Sequence, residues 1–185
     1  MKIAKAVYVV ALCIVGFLAF AEHSIVTSYT LSIGEDLGIA DVGPKGNVYI
    51  WLRDSEGNIK GFWNIHNNLT NVGRDEFIRE VLGNQSLTPG KWIAIGTGND
   101  TDNDPHNNSA LVAELDRKQA QYWEFNGGYG LNATFTFSNS YTILEAGVLN
   151  AASGGILIFY VNDLLIGVNN GDSLEICWKV YISGN

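Results

Sequence analysis

The sequence predicts an all-β fold, a single β-sandwich or jelly-roll domain with one short helix. Short stretches in which apolar and polar residues alternate recur along the chain, and this alternation is typical of half-buried strands. Turns rich in glycine and asparagine separate them, and the chain has 21 glycines in 185 residues. Only residues 71–82 show convincing helical spacing of apolar residues. Many short strands joined by such turns favour a sandwich or a jelly roll.

The first 21 residues have the pattern of an export signal. Lys2 and Lys5 precede an apolar run over residues 6–20, and the run ends in a small, large, small triplet at residues 19–21. The run is too short to span a bilayer comfortably, which takes about 20 apolar residues. We therefore predict a signal peptide cleaved after Ala21, with membrane contact only during export. If the run is retained, it is an anchor or a packed assembly helix.

The next segment is predicted to be a strand at the start of the mature chain. One face of it carries Ile25, Thr27, Tyr29, Leu31 and Ile33, and only Val26 breaks the alternation. Such a strand either pairs within its own sheet or leaves to complete the sheet of a neighbouring subunit. We favour the second arrangement. Residues 22–46 are then a donor strand with its linker, and residues 47–185 form the sandwich domain.

The body of the domain begins with a predicted hairpin. In the first strand, Val48, Ile50 and Leu52 alternate with Tyr49 and Trp51. Residues 54–57 form the turn, and residues 59–65 form the returning strand. The helix follows at 71–82, and residues 110–115 are predicted to be a helical turn or irregular. The remaining strands are predicted at residues 92–95, 119–125, 131–137, 142–149, 155–161 and 174–182.

Charge and cysteine content exclude several kinds of partner. The formal net charge is −8, and removal of Lys2 and Lys5 with the signal peptide makes the chain more acidic still. Nucleic acids and anionic membranes both require clustered positive charge, so neither is a predicted partner. Cys177 is the one cysteine outside the signal peptide, and it lies in an apolar segment. We predict that this thiol is buried and unreactive.

Five triplets match the acceptor pattern for N-glycosylation. Their asparagines are Asn68, Asn84, Asn99, Asn107 and Asn132. One or two such triplets arise by chance in a chain rich in asparagine. Five of them behind an export signal predict a glycosylated extracellular surface.

An acidic loop is the strongest candidate for a metal site. Asp100, Asp102 and Asp104 alternate, and carboxylates spaced in this way suit one calcium ion. The loop is not an EF-hand, because Pro105 stands where glycine is needed and Leu111 where a glutamate is needed. The alternative is a solvated acidic loop without metal. No other cofactor is predicted.

Catalysis has little support in the sequence. Ser153 lacks the strand, turn and helix frame of a hydrolase, and His23, His66 and His106 are isolated from other ligand or catalytic residues. We predict that the protein is not an enzyme. All five tryptophans alternate with apolar neighbours and are predicted to be core: Trp51, Trp63, Trp92, Trp123 and Trp178. A carbohydrate-binding face built from Trp63 and Trp123 is the alternative for two of them.

Four stretches resemble a known family. They are residues 67–75, NNLTNVGRD, then residues 93–98, IAIGTG, then residues 111–118, LVAELDRK, then residues 145–155, EAGVLNAASGG. In this order they resemble a β-sandwich module of phage tail and fibre proteins, over residues 67–182. The resemblance implies a β-sandwich fold and a structural role, without catalytic residues. The export signal, the amino-terminal strand and the glycosylation triplets depart from the phage pattern and favour a cell-surface protein.

An exported, glycosylated β-sandwich with a detachable first strand also resembles the archaeal thread and bundling-pilus subunits. This likeness implies a structural subunit of an extracellular cell-surface filament, which polymerises with copies of itself by donor-strand complementation. Two alternatives stay open at this point. One is a virion tail or fibre protein, and the other is a secreted carbohydrate-binding module.

Overall fold

The computed structural model describes residues 44–82, 89–101 and 104–182. These residues belong to one compact unit and contain antiparallel strands, one α-helix and one short 3₁₀ helix, so the predicted all-β class with a short helix is confirmed. The strands are β1 Pro44–Arg53, β2 Ile59–His66, β3 Asn68–Leu69, β4 Trp92–Gly96, β5 Glu114–Gln119, β6 Gln121–Phe125, β7 Gly128–Thr136, β8 Tyr141–Ile143, β9 Glu145–Leu149, β10 Leu157–Val161, β11 Ile166–Val168 and β12 Ser173–Ile182. The helix α1 is Asn71–Leu82, and the 3₁₀ helix is Pro105–Asn107.

Several predictions concern residues outside this description. The signal peptide, the donor strand at 25–33, most of its linker, Asn84 and Asp102 are among them, and they stay predictions. β1 begins at Pro44, within the last residues of the predicted linker. In the part of the chain that the structure describes, no helix is both long and apolar enough to cross a membrane.

Two five-stranded sheets make up most of the domain. The first sheet has the strand order β2-β1-β12-β7-β6, and the second sheet has the order β3-β10-β9-β4-β5. β8 and β11 form a separate pair. β1 and β12 pair over their full length, from Pro44 opposite Ile182 to Arg53 opposite Ser173. The pairing of β1 with β12 at the centre of the first sheet therefore joins the first and the last of the described strands.

A single large hydrophobic cluster draws residues from both sheets. Ile50 and Trp178 come from the first sheet, and Ile93, Val148 and Phe159 come from the second. The rings of Phe159 and Trp178 meet at a centroid distance of 6.5 Å. Burying a side chain of this size stabilises the fold by about 1.5–3 kcal/mol. The inward residues of β1 alternate with residues on its other face, as the sequence pattern predicts.

Two segments that we predicted as single strands are each two strands. Residues 119–125 divide between β5 in the second sheet and β6 in the first, and Ala120 lies between them. Its N–H donates to the Lys91 carbonyl at 2.8 Å. Residues 142–149 divide at Leu144 in the same way, between β8 and β9. A chain that crosses from one sheet to another can keep its alternating pattern, so the pattern does not reveal the crossing.

The first turn of α1 is fixed by Thr70. Its hydroxyl oxygen accepts the Gly73 N–H at 2.9 Å, as expected of a helix N-cap. The same hydroxyl donates to the Leu157 carbonyl, and the Thr70 N–H donates to the Ile158 carbonyl at 3.1 Å. Thr70 therefore caps the helix and also occupies the edge of β10. Helix formation and docking on β10 depend on the same residue.

A partly buried ion pair joins β2 to the turn before β12. The ammonium of Lys60 lies 2.6 Å from the carboxylate of Asp172, which also accepts the Asn169 N–H at 2.8 Å. Asp172 is buried, whereas about a third of the Lys60 side chain is exposed. The hydrogen bond from Lys60 holds the pKa of Asp172 below its ordinary value.

Replacing Lys60 by methionine is expected to lower the free energy of unfolding by about 1 kcal/mol at neutral pH, because a buried carboxylate loses a partner that is itself partly solvated. The pKa of Asp172 is depressed in the folded state, so this stabilisation is present above the unfolded value of about 3.9 and is lost as the pH falls below it. Urea unfolding of the two chains at neutral pH and near pH 2 measures the loss of free energy at each pH, and the loss is expected only at neutral pH. Lys91→Met, at an exposed position, is the control, and an equal loss at the two pH values contradicts the assignment.

Candidate functional site

The two edges of the second sheet are protected against pairing with another strand. β5 is rich in charge, and the Arg117 guanidinium binds the Glu114 carboxylate at 2.5 and 2.8 Å. Arg117 also donates to the carbonyls of Ala151 and Gly154. At the other edge, β3 has only two residues. Charged or very short edge strands are the usual means by which proteins resist edge-to-edge association.

The β2 edge of the first sheet lacks this protection. β2 has eight residues, and Lys60, its one lysine or arginine, is engaged by Asp172. Two large apolar side chains are exposed along it, Ile59 at 58% and Phe62 at 52%. Trp63 and Ile65 are half-buried against the core. Among the described strands, β2 pairs only with β1, so it forms an apolar open edge.

The face of the first sheet that points away from the core carries a group of aromatic rings. The Tyr49 and Trp51 rings stack at a centroid distance of 6.2 Å, and Phe62 lies 5.3 Å from Trp51 and 6.4 Å from Tyr49. We call these three residues the aromatic platform. The ammonium of Lys179 lies 5.3 Å from the Tyr49 ring and 5.8 Å from the Phe125 ring.

A shallow groove of about 440 Å³ lies on the same face, beside the aromatic platform. We call it the outer groove. It is lined by Trp51, Gln121, Tyr122, Trp123, Asn132, Glu175, Cys177 and Lys179. A second depression of about 350 Å³ shares Gln121, Asn132 and Glu175 with it. The Trp123 ring lies over Gly130, where a Cβ atom would collide with the ring. The Trp123 ring therefore occupies the place of a side chain at Gly130 and lies beside Asn132 in the outer groove.

The predicted carbohydrate face built from Trp63 and Trp123 is wrong. Trp63 packs on the core side of β2, whereas Trp123 lines the outer groove. The partner of Trp51 across the strands is Phe62. A bulge between Leu52 and Arg53 shifts the register of the hairpin, so counting residues from the turn does not give the face on which each ring lies. Trp51 and Trp123 also depart from the predicted core position.

The two described carboxylates of the acidic loop each accept hydrogen bonds from neighbouring loop residues. Asp100 accepts a hydrogen bond from the Asn108 side-chain amide at 2.6 Å. Asp104 caps the 3₁₀ helix by accepting from the His106 N–H at 3.1 Å, and it also accepts from the Asn107 amide at 3.2 Å. No group of three metal-ligating side chains occurs among the described residues. The calcium site stays a prediction.

The glycosylation triplets occupy different environments. Asn99 is exposed in a loop and Asn107 is exposed at the end of the 3₁₀ helix, whereas Asn68 and Asn132 are half-buried in strands. The side chain of Asn107 also binds Asp104 and accepts a hydrogen bond from Asn71 at 2.9 Å. Asn132 is the one of these four that lines the outer groove, where its amide donates to the Glu175 carboxylate at 2.9 Å.

The buried Glu145 is a feature that the sequence did not lead us to predict. Its carboxylate accepts the N–H groups of Gly98, Val112 and Ala113 at 3.3, 2.9 and 2.8 Å. It also accepts the Tyr160 hydroxyl at 2.9 Å. Burial and this hydrogen bond raise the pKa of Tyr160. Every partner is a backbone amide or a buried phenol, so the arrangement ties loops together.

The other residues considered for chemistry are dispersed. Ser153 is exposed in a turn, and His66 lies at the end of β2. Nδ1 of His106 lies 2.7 Å from the Leu69 carbonyl oxygen. Cys177 is buried and free, as predicted, and burial raises the pKa of its thiol.

No protein-family model, no curated protein and no solved structure matches this chain. The resemblance to phage fibre modules and to archaeal filament subunits therefore stays a prediction.

Proposed function

We propose that the protein is a structural subunit of an extracellular, glycosylated cell-surface filament of the archaeal kind, and that it polymerises by donor-strand complementation. The segment 25–33 of one subunit adds to the open edge of β2 in the next. The observation that carries this proposal is the contrast between the β2 edge and the two edges of the second sheet. The second sheet has a charged edge and a two-residue edge, whereas β2 offers eight residues with Ile59 and Phe62 exposed.

The donor segment and the β2 edge are complementary in length and pattern. The segment has nine residues, and β2 has eight. Tyr29, Leu31 and Ile33 are apolar on one face, which suits the half-buried Trp63 and Ile65 on the core side of β2. Main-chain hydrogen bonds add any extended strand to an open edge. The side chains on one face must therefore set the register, because a slip of one residue turns them to the other face.

The test uses two variants that each lack one half of the contact. Leu31→Asp places a charge on the donor segment, and the double variant Ile59→Lys and Phe62→Lys places charges on the β2 edge. Each exported chain alone is expected to stay monomeric, whereas the unaltered chain forms filaments under electron microscopy. A mixture of the two variants is expected to give a one-to-one dimer and nothing larger, because only one intact donor and one intact edge remain.

Val112→Lys is the matched control for the lysine substitutions. Val112 is 53% exposed, close to Phe62 at 52%, but it lies in the loop before β5, a strand of the second sheet. This variant is expected to form filaments. Thermal unfolding of the monomers checks that the exposed substitutions change the free energy of unfolding by no more than about 0.5 kcal/mol. Filaments from the double lysine variant, or a mixture that stays monomeric, would refute the proposal.

A further inference from the structure

The outer groove surrounds an asparagine that belongs to a glycosylation triplet. Asn132 lies in the row of residues that crosses the middle of the first sheet, with Cys177 opposite it on β12 and Gln121 opposite it on β6. Its neighbour along the same face of β7 is Gly130, which is covered by the Trp123 ring. Asn132 lines both the outer groove and the adjoining depression. A group attached to its amide therefore has space on either side.

We infer that Asn132 carries an N-linked glycan whose first sugars lie in the outer groove, against the rings of Trp51 and Trp123. This inference rests on the proposed export and glycosylation of the chain. It goes beyond them, because it makes one glycan part of the packed structure. The other described sites, Asn68, Asn99 and Asn107, line neither the outer groove nor the adjoining depression.

The chemistry of the amide agrees with attachment at this position. Asn132 Nδ2 carries two hydrogens, and one of them binds the Glu175 carboxylate at 2.9 Å. In glycosylation, a bond forms between Nδ2 and C1 of the sugar, and the bond between C1 and a phosphate oxygen of a lipid-linked oligosaccharide breaks. The lipid phosphate leaves, and the displaced amide proton passes to a base of the transferase. One N–H remains on Nδ2, so the hydrogen bond to Glu175 can be kept.

The lining of the groove suits an uncharged sugar. A sugar ring has an apolar C–H face that can pack on an aromatic ring, and hydroxyl groups that hydrogen-bond to amide, carboxylate and ammonium groups. The outer groove offers the Trp51 and Trp123 rings together with Gln121, Glu175 and Lys179. Glu175 and Lys179 are its only charged residues, and their charges cancel.

Other occupants fit the lining less well. A protein partner would desolvate Glu175 and Lys179, whereas the centres of protein interfaces are depleted in charged residues. Single-stranded nucleic acid also stacks on aromatic rings, but it requires a positively charged groove. The chain has a net charge of −8, and the groove itself is neutral.

The test removes the glycan without touching Asn132. Thr134→Ala destroys the triplet and leaves the hydrogen bond between Asn132 and Glu175 in place, and Thr134→Ser keeps the triplet. All chains are made in a host that attaches N-linked glycans, on the Leu31→Asp background, so that filament formation does not affect the melting temperature. Mass spectrometry of glycopeptides is expected to find Asn132 occupied in the parent chain and in Thr134→Ser.

Loss of this glycan is expected to lower the melting temperature by about 3 °C, a shift of measurable size for a domain of this length. Thr101→Ala removes the exposed Asn99 site and is expected to cause no shift. The same variants made in a host without glycosylation give the change in melting temperature that Thr134→Ala causes without any glycan. This change is subtracted from the shift measured on the glycosylated chains. In Trp51→Ala the difference between glycosylated and unglycosylated chains is expected to disappear.

Three results would overturn the inference. They are an unoccupied Asn132, equal melting temperatures with and without its glycan, and saturable binding of a single-stranded oligonucleotide in the groove of Thr134→Ala. If the mixture of Leu31→Asp with the double lysine variant stays monomeric while the glycan still raises the melting temperature, only the filament proposal is refuted. The two ideas can thus be separated.

Discussion

Replacing Glu145 by alanine is expected to lower the free energy of unfolding by about 4 kcal/mol, because it leaves several buried donors without an acceptor, each at a cost of about 1–3 kcal/mol. Its carboxylate accepts three backbone N–H groups and the Tyr160 hydroxyl, and both Glu145 and Tyr160 are fully buried. Water cannot replace the lost acceptor unless the loops open. We therefore expect the loops around Gly98 and Val112 to separate before the sheets do.

Two measurements test this expectation for Glu145. Urea unfolding gives the free energy, and hydrogen exchange follows the amides of Gly98, Val112 and Ala113 individually. Tyr160→Phe removes one of the four donors without orphaning any other, so its loss should be near 1 kcal/mol. Glu124→Ala, at an exposed position of β6, is the control. Unchanged protection of the three amides in Glu145→Ala would show that the carboxylate does not hold these loops.

Gly73→Ala is expected to destabilise the protein by about 2 kcal/mol, although alanine is the better helix former by about 1 kcal/mol. A Cβ atom at this position would lie 2.7 Å from Cα and 2.9 Å from the carbonyl carbon of Ile158. These are backbone atoms of β10, so they cannot move aside as a flexible side chain can. The start of α1 must lift from β10, which also breaks the hydrogen bonds of Thr70 to the Leu157 and Ile158 carbonyls.

Gly167→Ala is the matched control for this substitution. A Cβ atom at Gly167 meets nothing within 4 Å, so this variant is expected to be neutral or slightly more stable. Urea unfolding compares the two variants, and exchange of the Gly73 amide reports on the helix cap. Equal stabilities of the two variants would mean that α1 does not depend on its close approach to β10.

Local signals were read correctly from the sequence. The first hairpin was predicted because its turn is specified by nearby residues: Asp54 accepts the N–H groups of Glu56 and Asn58, and Gly57 has a φ of 87°. The helix at 71–82 was predicted with the boundaries that the structure gives it. In both cases the residues that determine the element lie within it or next to it.

Features that depend on distant residues were missed. The break at Ala120 is fixed by a hydrogen bond to Lys91, and β11 is so short that its pattern is not distinctive. Glu145 looked like one more acidic residue, since its partners are up to 47 positions away. The outer groove requires four strands in a given order, and alternation within one strand does not specify which strand lies beside it.

The position of β12 delays the folding of the first sheet. It is the last of the described strands, yet it lies between β1 and β7, and it brings Ile182 opposite Pro44. A chain that emerges amino terminus first can form the β1–β2 and β6–β7 hairpins early, but nothing joins them until residues 173–182 appear. Contacts this distant along the chain make folding slow. Until residues 173–182 dock, the edges of β1 and β7 that face β12 have no partner in the first sheet, so completion of this sheet depends on β12.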